Sequence, residues 1–399
     1  MKSKSLWVDN QPLSIFGGEV GAFYYEERAL LMTEPKDIVI IDYEINNEYL
    51  CQLRKIPEYK FVYLIFLKTR HYDLVESILK WEKIDWLIQY VKEHNYVLRS
   101  YIPDGRISLL SECLKVKCYG YSFYEAYKEQ LSLITLLNEI DCNCIETLPL
   151  NSTNKESAID FIKKNRSSLI KPNISIGGKN IVEVNNQSDI EEFYLKGKLN
   201  EYILQKKIRK DFEGSIQFLL ENEVFHIYIC KTFNPHNSYS GFCYPCEIDV
   251  LNELKKNAEN MLTVLTEKYK KDMDCFGIDF IISEGEIFYH DLNARKTAVT
   301  YVLSFLKKIN HNFDTCKSFK TICLYFRIKK KILYSNLLEI IKNSNIPDLI
   351  ETGEGIMIIN PSTINLGLIQ IISVSYINKE KTYLNEFKKE VERRGVEIL

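Results

Sequence analysis

The side chains best suited to chemistry in this chain fall in two short stretches. The first comprises Gly277-Ile278-Asp279-Phe280 and, after a turn at Ser283-Glu284-Gly285, His290-Asp291-Leu292-Asn293-Ala294-Arg295. The surrounding β-branched and aromatic residues predict a hairpin of strands over 276–282 and 286–289. Residues two apart on a strand share a face, so Asp291 and Asn293 point together, and the pairing brings Asp279 to their level. Two carboxylates and an amide oxygen form a hard-oxygen set suited to Mg²⁺, which favours carboxylates together with phosphate oxygens. Arg295 continues the alternation and is placed to neutralise a phosphoryl group or clamp a carboxylate. The same alternation turns His290 to the opposite face.

The second stretch is Ser168-Leu169-Ile170-Lys171-Pro172, a strand with a lysine at its mouth, followed by Gly177-Gly178-Lys179. Adjacent glycines let backbone N–H groups approach phosphate oxygens, and the lysine supplies charge. Taken alone, Gly-Gly between strands is more often simply a turn.

The elements that must position these residues follow from periodicity. Residues 1–120 alternate buried strand-like runs, among them Asp37-Ile38-Val39-Ile40-Ile41 and the apolar run 61–67, with helical ones such as 74–90. That pattern predicts an α/β layer of doubly wound type, without a Gly-x-Gly-x-x-Gly dinucleotide fingerprint. Residues 121–140 read as one helix carrying Lys128. Strands are expected at 202–205, 214–220 and 224–230, and a long amphipathic helix at 251–269. The last 80 or so residues alternate strand and helix again, after a candidate linker at 307–320.

In their order along the chain, these residues resemble the ATP-grasp ligase superfamily: Lys128, then Lys171 before a glycine-rich loop, then a hinge at Leu204-Gln205-Lys206, then Glu213, and finally Asp279 and the Asp-x-Asn-x-Arg of 291–295. The resemblance implies α/β and α+β architecture: an ATP-grasp fold of two α+β lobes over 121–310, an α/β pre-grasp domain over 1–120, and a small C-terminal α+β domain over 321–399. It implies that Lys128 and Lys171 contact ATP phosphates, with Gly177 and Gly178 in a lid over them. Gln205 and Lys206 would border adenine and Glu213 would take the ribose. Asp279, Asp291 and Asn293 would hold Mg²⁺, or Mn²⁺ in its place, with Arg295 as the catalytic residue beside an acyl phosphate. The sequence departs from the common pattern in carrying Asp291 where glutamate is more usual, Ala294 in place of a proline, and Gln205 in place of glutamate.

The resemblance extends more loosely to peptide ligases of natural-product pathways (the pheganomycin type) and to amino acid–carrier-protein ligases of the butirosin type. It implies an ADP-forming ligase for an amino acid or small peptide, forming an amide. A thioester on an acyl-carrier protein is the alternative, and a nucleotide-binding regulatory protein without turnover is a further one. Glu247, after Cys243-Tyr244-Pro245-Cys246, is a candidate for binding the incoming amine. That Cys pair lacks a second pair of matching spacing for zinc.

Composition agrees with this reading. The 399 residues are 46% hydrophobic and 27% charged, which suits a large folded core and excludes disorder as the dominant state. With 52 Lys+Arg against 54 Asp+Glu, the net charge of −2 argues against nucleic acid as the main partner. No apolar run approaches the roughly 20 residues of a spanning helix, so no membrane partner is expected. The N-terminus lacks a secretory signal, and the 11 Cys read as reduced thiols of a cytoplasmic protein. A homodimer is compatible with the sequence.

Overall fold

The structure, a computed structural model, describes residues 4–10, 22–69, 73–174, 180–197, 199–221, 223–234, 239–309, 320–329 and 332–397. The predicted lid glycines Gly177 and Gly178, and most of the candidate linker, lie outside the described residues.

Near the N-terminus a five-stranded parallel sheet forms from β1 (Ser5–Trp7), β2 (Ile38–Ile41), β3 (Tyr63–Phe66), β4 (Val97–Arg99) and β5 (Lys117–Cys118), in the order β3-β2-β1-β4-β5. All four residues of β2 are buried because both faces of the sheet are covered. Leu6, Ile38 and Ile40 pack into one apolar cluster, while Trp7, Val39 and Ile41 pack into another.

A second, four-stranded sheet is antiparallel, in the order β6-β9-β7-β8: β6 (Thr147–Pro149), β7 (Ser168–Pro172), β8 (Val182–Val184) and β9 (Tyr202–Lys206). Two helices, Lys155–Asn165 and Gln187–Leu195, share its apolar cluster, the second started by an Asn186/Asp189 capping box.

The third sheet has eight strands, all antiparallel, in the order β14-β13-β10-β11-β12-β15-β17-β16. They are β10 (Phe212–Glu221), β11 (Val224–Phe233), β12 (Gly241–Tyr244), β13 (Cys275–Ser283), β14 (Glu286–Asn293), β15 (Lys320–Arg327), β16 (Gly355–Ile359) and β17 (Leu368–Ser375). The C-terminal strands therefore extend the sheet of the second lobe and do not form one of their own. The helix Leu251–Tyr269 buries Leu254, Ala258, Met261 and Leu265, spaced four, three and four apart, in the cluster that also holds Phe276 and Ile278.

The stretch 121–140, expected as one helix, is two: Tyr121–Tyr127 and Gln130–Glu139, broken at Lys128-Glu129. Asp272 explains how the first begins, since its carboxylate accepts the backbone N–H groups of Gly120, Ser122 and Phe123. Among the described residues no helix is long and apolar enough to cross a membrane.

Candidate active site

The four-stranded sheet presents Lys171 and Gln205, and the eight-stranded sheet presents β10, β13 and β14. Asp279 and Asp291 are direct partners across the β13–β14 ladder, and Gly277 pairs with Asn293. Like charges directly opposite one another repel. The structure moderates this repulsion with hydrogen bonds: Ser215 Oγ donates to Asp279 Oδ1 at 2.5 Å, Asn293 Nδ2 donates to Asp279 Oδ2 at 3.2 Å, and Gln130 Nε2 donates to Asp291 Oδ1. Burial, and then the charge of Asp291, raise the Asp279 carboxyl above its ordinary range.

A chain of buried polar groups fixes Asp279 from behind. Thr297 Oγ1 donates to Gln217 Oε1 at 2.7 Å, and Gln217 Nε2 donates to Ser215 Oγ at 2.7 Å. The side chain of Gln217 lies over Gly277, where a Cβ would stand only 2.6 Å from Nε2. Sequence reasoning passed over Ser215 and Gln217. Their signal was present, because Glu213, Ser215 and Gln217 alternate with Gly214 and Ile216 along the strand and so share a face.

Lys171 is buried, and its Nζ donates to Gln130 Oε1 at 3.1 Å and to the carbonyl of His290 at 3.0 Å. Burial pulls its pKa down to about 8, against the pull of Asp291 and Asp279. Lys128 does not join this group. It caps the end of Tyr121–Tyr127 and pairs with Glu125 at 2.6 Å. The side chain that stands between Lys171 and Asp291 is Gln130, in the second of the two helices.

His290 also departs from expectation. The register shifts between Asp279 and Phe280, which pair with Asp291 and Tyr289, so His290 is an extra, bulged residue. Strict alternation fails there. Burial, then Lys171 and Lys210, depress its pKa well below normal, and its Nε2 is buried without a hydrogen-bond partner.

Gln205 is buried, and its Nε2 donates to Thr147 Oγ1 at 2.9 Å, which leaves its carbonyl oxygen as an acceptor. Lys206, next to it on β9, is exposed. Glu213 accepts from Lys210 Nζ at 2.9 Å. Arg295 Nη1 donates to Tyr101 Oη at 3.1 Å and to the carbonyl of Lys296 at 3.0 Å, which ties the end of the catalytic-looking strand to the N-terminal sheet. Glu247 stands apart: its side chain is 81% exposed and pairs with Lys320 at 3.0 Å. Nothing in the structure turns it toward the carboxylates.

The donor set fits a hard divalent cation. Among the described residues no three His, Cys, Asp or Glu side chains form a metal cage. Two carboxylates and the Asn293 amide oxygen would leave coordination positions for ligand oxygens, as Mg²⁺ prefers.

Acidic partners on neighbouring strands beneath a buried lysine, held between an antiparallel four-stranded lobe and a larger sheet, belong to a known class of domain. Residues 139–299 match the family model of the ATP-grasp domain, and the chain carries that domain. Over its full length the fold is similar to that of N5-carboxyaminoimidazole synthase from Aspergillus clavatus, solved with ADP and 5-aminoimidazole ribonucleotide: TM-score 0.60 and 12% identity over 98% of this chain and 99% of that one. The N5-carboxyaminoimidazole synthetase of Staphylococcus aureus, complexed with ADP, gives 0.58 and 12% over 98% of each chain. The N5-carboxyaminoimidazole ribonucleotide synthetase of Thermotoga maritima gives 0.54 and 11% over 100% and 99%. At such identities the likeness is one of fold. No curated protein matches the sequence.

Proposed function

We propose that this protein is an ATP-dependent, ADP-forming ligase that activates a carboxylate as an acyl phosphate and transfers the acyl group to an amine. The observation that carries this reading is the face-to-face Asp279–Asp291 pair, bridged through Gln130 to the buried Lys171. Two carboxylates so placed call for a cation between them, and a buried lysine aimed at the same place calls for an anion.

Asp279, Asp291 and Asn293 would hold Mg²⁺ or Mn²⁺, which when bound supplies Lewis-acid stabilisation to the phosphate oxygens. The chain's own residues do the rest. Lys171 offsets charge developing on the phosphoryl oxygens, and Gln130 holds Lys171 and Asp291 in fixed relation. Ser215 and Gln217 fix the rotamer of Asp279. The Gln205 carbonyl accepts from the adenine amino group, and Glu213 takes the ribose. Arg295 steadies the acceptor side of the transferring group, where acyl phosphate forms and an amine then expels phosphate.

The full-length likeness to a structure solved with ADP and 5-aminoimidazole ribonucleotide supports an amine acceptor over a carrier thiol. We take an amino acid or small peptide as the substrate. The natural-product peptide ligases expected from sequence are not among the three structures compared.

The test is ADP release, followed across a panel of amino acids with and without a phosphopantetheinylated carrier protein. We expect ADP and phosphate without the carrier, and loss of turnover in Asp291→Ala. AMP with pyrophosphate would reject the mechanism. A requirement for the carrier would select the thioester reading. ADP binding with no turnover on any acid would select the regulatory one.

A further inference from the structure

The C-terminal strands border a cavity that the proposed reaction does not use. In the eight-stranded sheet, β14, which carries Asp291, is one edge strand and β16 is the other. Beside β16 lies a cavity of about 60 Å³. It is enclosed by the helix Tyr334–Asn343, by the segment leading into the short helix Leu349–Thr352, and by Gln52 of the N-terminal helix Asn47–Leu53.

The walls follow from local periodicity. Ile356 and Ile358 are two apart on β16 and turn to the same side. Leu338, Ile341 and Lys342 stand three and four apart on their helix and share a stripe. Ile346 completes the lining, and Asp348 bridges to Ile356 along the outer edge of β16. The interior is therefore mostly aliphatic. A void deprives its lining of dispersion contacts, and an aliphatic lining offers water few hydrogen bonds. A single water needs roughly 10–15 Å³, so the space takes roughly four to six non-hydrogen atoms.

The mouth is polar and rich in donors. Tyr334 Oη donates to Gln52 Oε1 at 2.6 Å, which fixes the amide and leaves its Nε2 as a donor. Lys342 is exposed, and among the described residues its ammonium has no acceptor. Asp348, the one acid of the lining, is already engaged. Its Oδ1 accepts from the backbone N–H groups of Ile350 at 2.9 Å and Glu351 at 3.3 Å, and its Oδ2 lies 3.8 Å from Lys55 Nζ. Lys55 in turn pairs with Glu351 at 2.6 Å. Two donors, one of them cationic, over an aliphatic chamber match a molecule with a carboxylate head and an alkyl tail. An ammonium head would meet the charge of Lys342, and a phosphate has nothing to place in the chamber.

We infer that this cavity is a binding site for a short, branched aliphatic carboxylate, with the alkyl tail among Ile341, Ile346, Ile356 and Ile358 and the carboxylate accepting from Lys342 Nζ and Gln52 Nε2. The site is separate from the candidate active site, because the two occupy opposite edges of one sheet. It stands whether or not the ligase reading does. Gln52 comes from the N-terminal part of the chain and the other walls from its C-terminal part, so the bound acid clamps the two together. A ligand that binds only the folded chain stabilises it.

The experiment is isothermal titration of the full chain with isovalerate, and with isopentanol and isopentylamine as neutral and cationic analogues of the same tail. It is repeated on Lys342→Met, on Gln52→Ala, and on Ile341→Phe, which fills the cavity. Thermal melts followed by circular dichroism show that each variant folds. We expect isovalerate to bind the unmodified chain and raise its melting temperature, and both analogues to bind at least tenfold more weakly. The Kd for isovalerate should rise at least tenfold in Lys342→Met and at least threefold in Gln52→Ala, and binding should be lost in Ile341→Phe. Should Ile341→Phe fail to fold, the two variants at the mouth decide the matter. No binding of isovalerate, equal binding of isopentanol, or unchanged affinity in Lys342→Met would overturn the inference.

Discussion

Lys171 is a cation held where cations are costly, with a pKa of about 8 set by burial and only partly restored by Asp291 and Asp279. The consequence is a pH dependence of nucleotide binding. Below pH 8 the lysine is charged and attracts phosphate; above it, the unliganded protein loses that charge. ADP affinity measured by calorimetry should therefore fall as pH rises from 7 to 9, and in Lys171→Met it should be weak and flat over the same range. Asp291→Asn should lower ADP formation roughly 10²–10³-fold, the scale of losing one group that stabilises developing charge, with ADP affinity reduced far less. At this scale the sequence was informative about Asp279, Asp291, Asn293 and Lys171, because strand alternation and a strand-end lysine are local patterns. It passed over Gln130. Gln130 enters the site because a second helix starts there, its backbone N–H held at 2.8 Å by the carbonyl of Asn173, more than 40 positions downstream.

Among the elements, strands and the long helix were legible, whereas irregularities within them were not. The apolar spacing of Leu251–Tyr269 identifies its buried face, and Met261 lies in the middle of it, fully buried. Met261→Ala should cost about 2–5 kcal/mol of unfolding free energy by urea titration, the usual range for a large-to-small change in a core that cannot collapse fully. The bulge at His290 had no signal in composition. Yet it is what aims the His290 carbonyl at Lys171 and so lets β14 of one lobe touch β7 of the other.

For the whole molecule, the tie between the N-terminal sheet and the rest is a buried charge network. Asp274 pairs with Lys296 at 3.0 Å and with Arg99 of β4. Burial alone would raise its carboxyl, but Lys296 and Arg99 overcome this and hold it near 2, against 3.8 ordinarily. A carboxyl depressed on folding contributes stability that is complete above its unfolded pKa and is lost as the pH falls through the folded one. Thermal stability should therefore drop between about pH 4 and pH 2, and Asp274→Ala should remove that slope while costing about 3–5 kcal/mol at neutral pH, because Lys296 is left buried without a partner. Sequence reasoning had no access to this network, whose three members come from distant segments. Nor did it foresee that β12 and β15 hydrogen-bond to each other, joining the C-terminal strands to the lobe that carries the carboxylates. That seam matters to anyone dissecting the protein. A chain cut at residue 309 would expose the backbone donors and acceptors of Gly241–Tyr244, inviting the same strand of another copy to fill the gap. Such a fragment should elute as dimers and larger assemblies in size-exclusion chromatography, so this catalytic half is not separable from its tail.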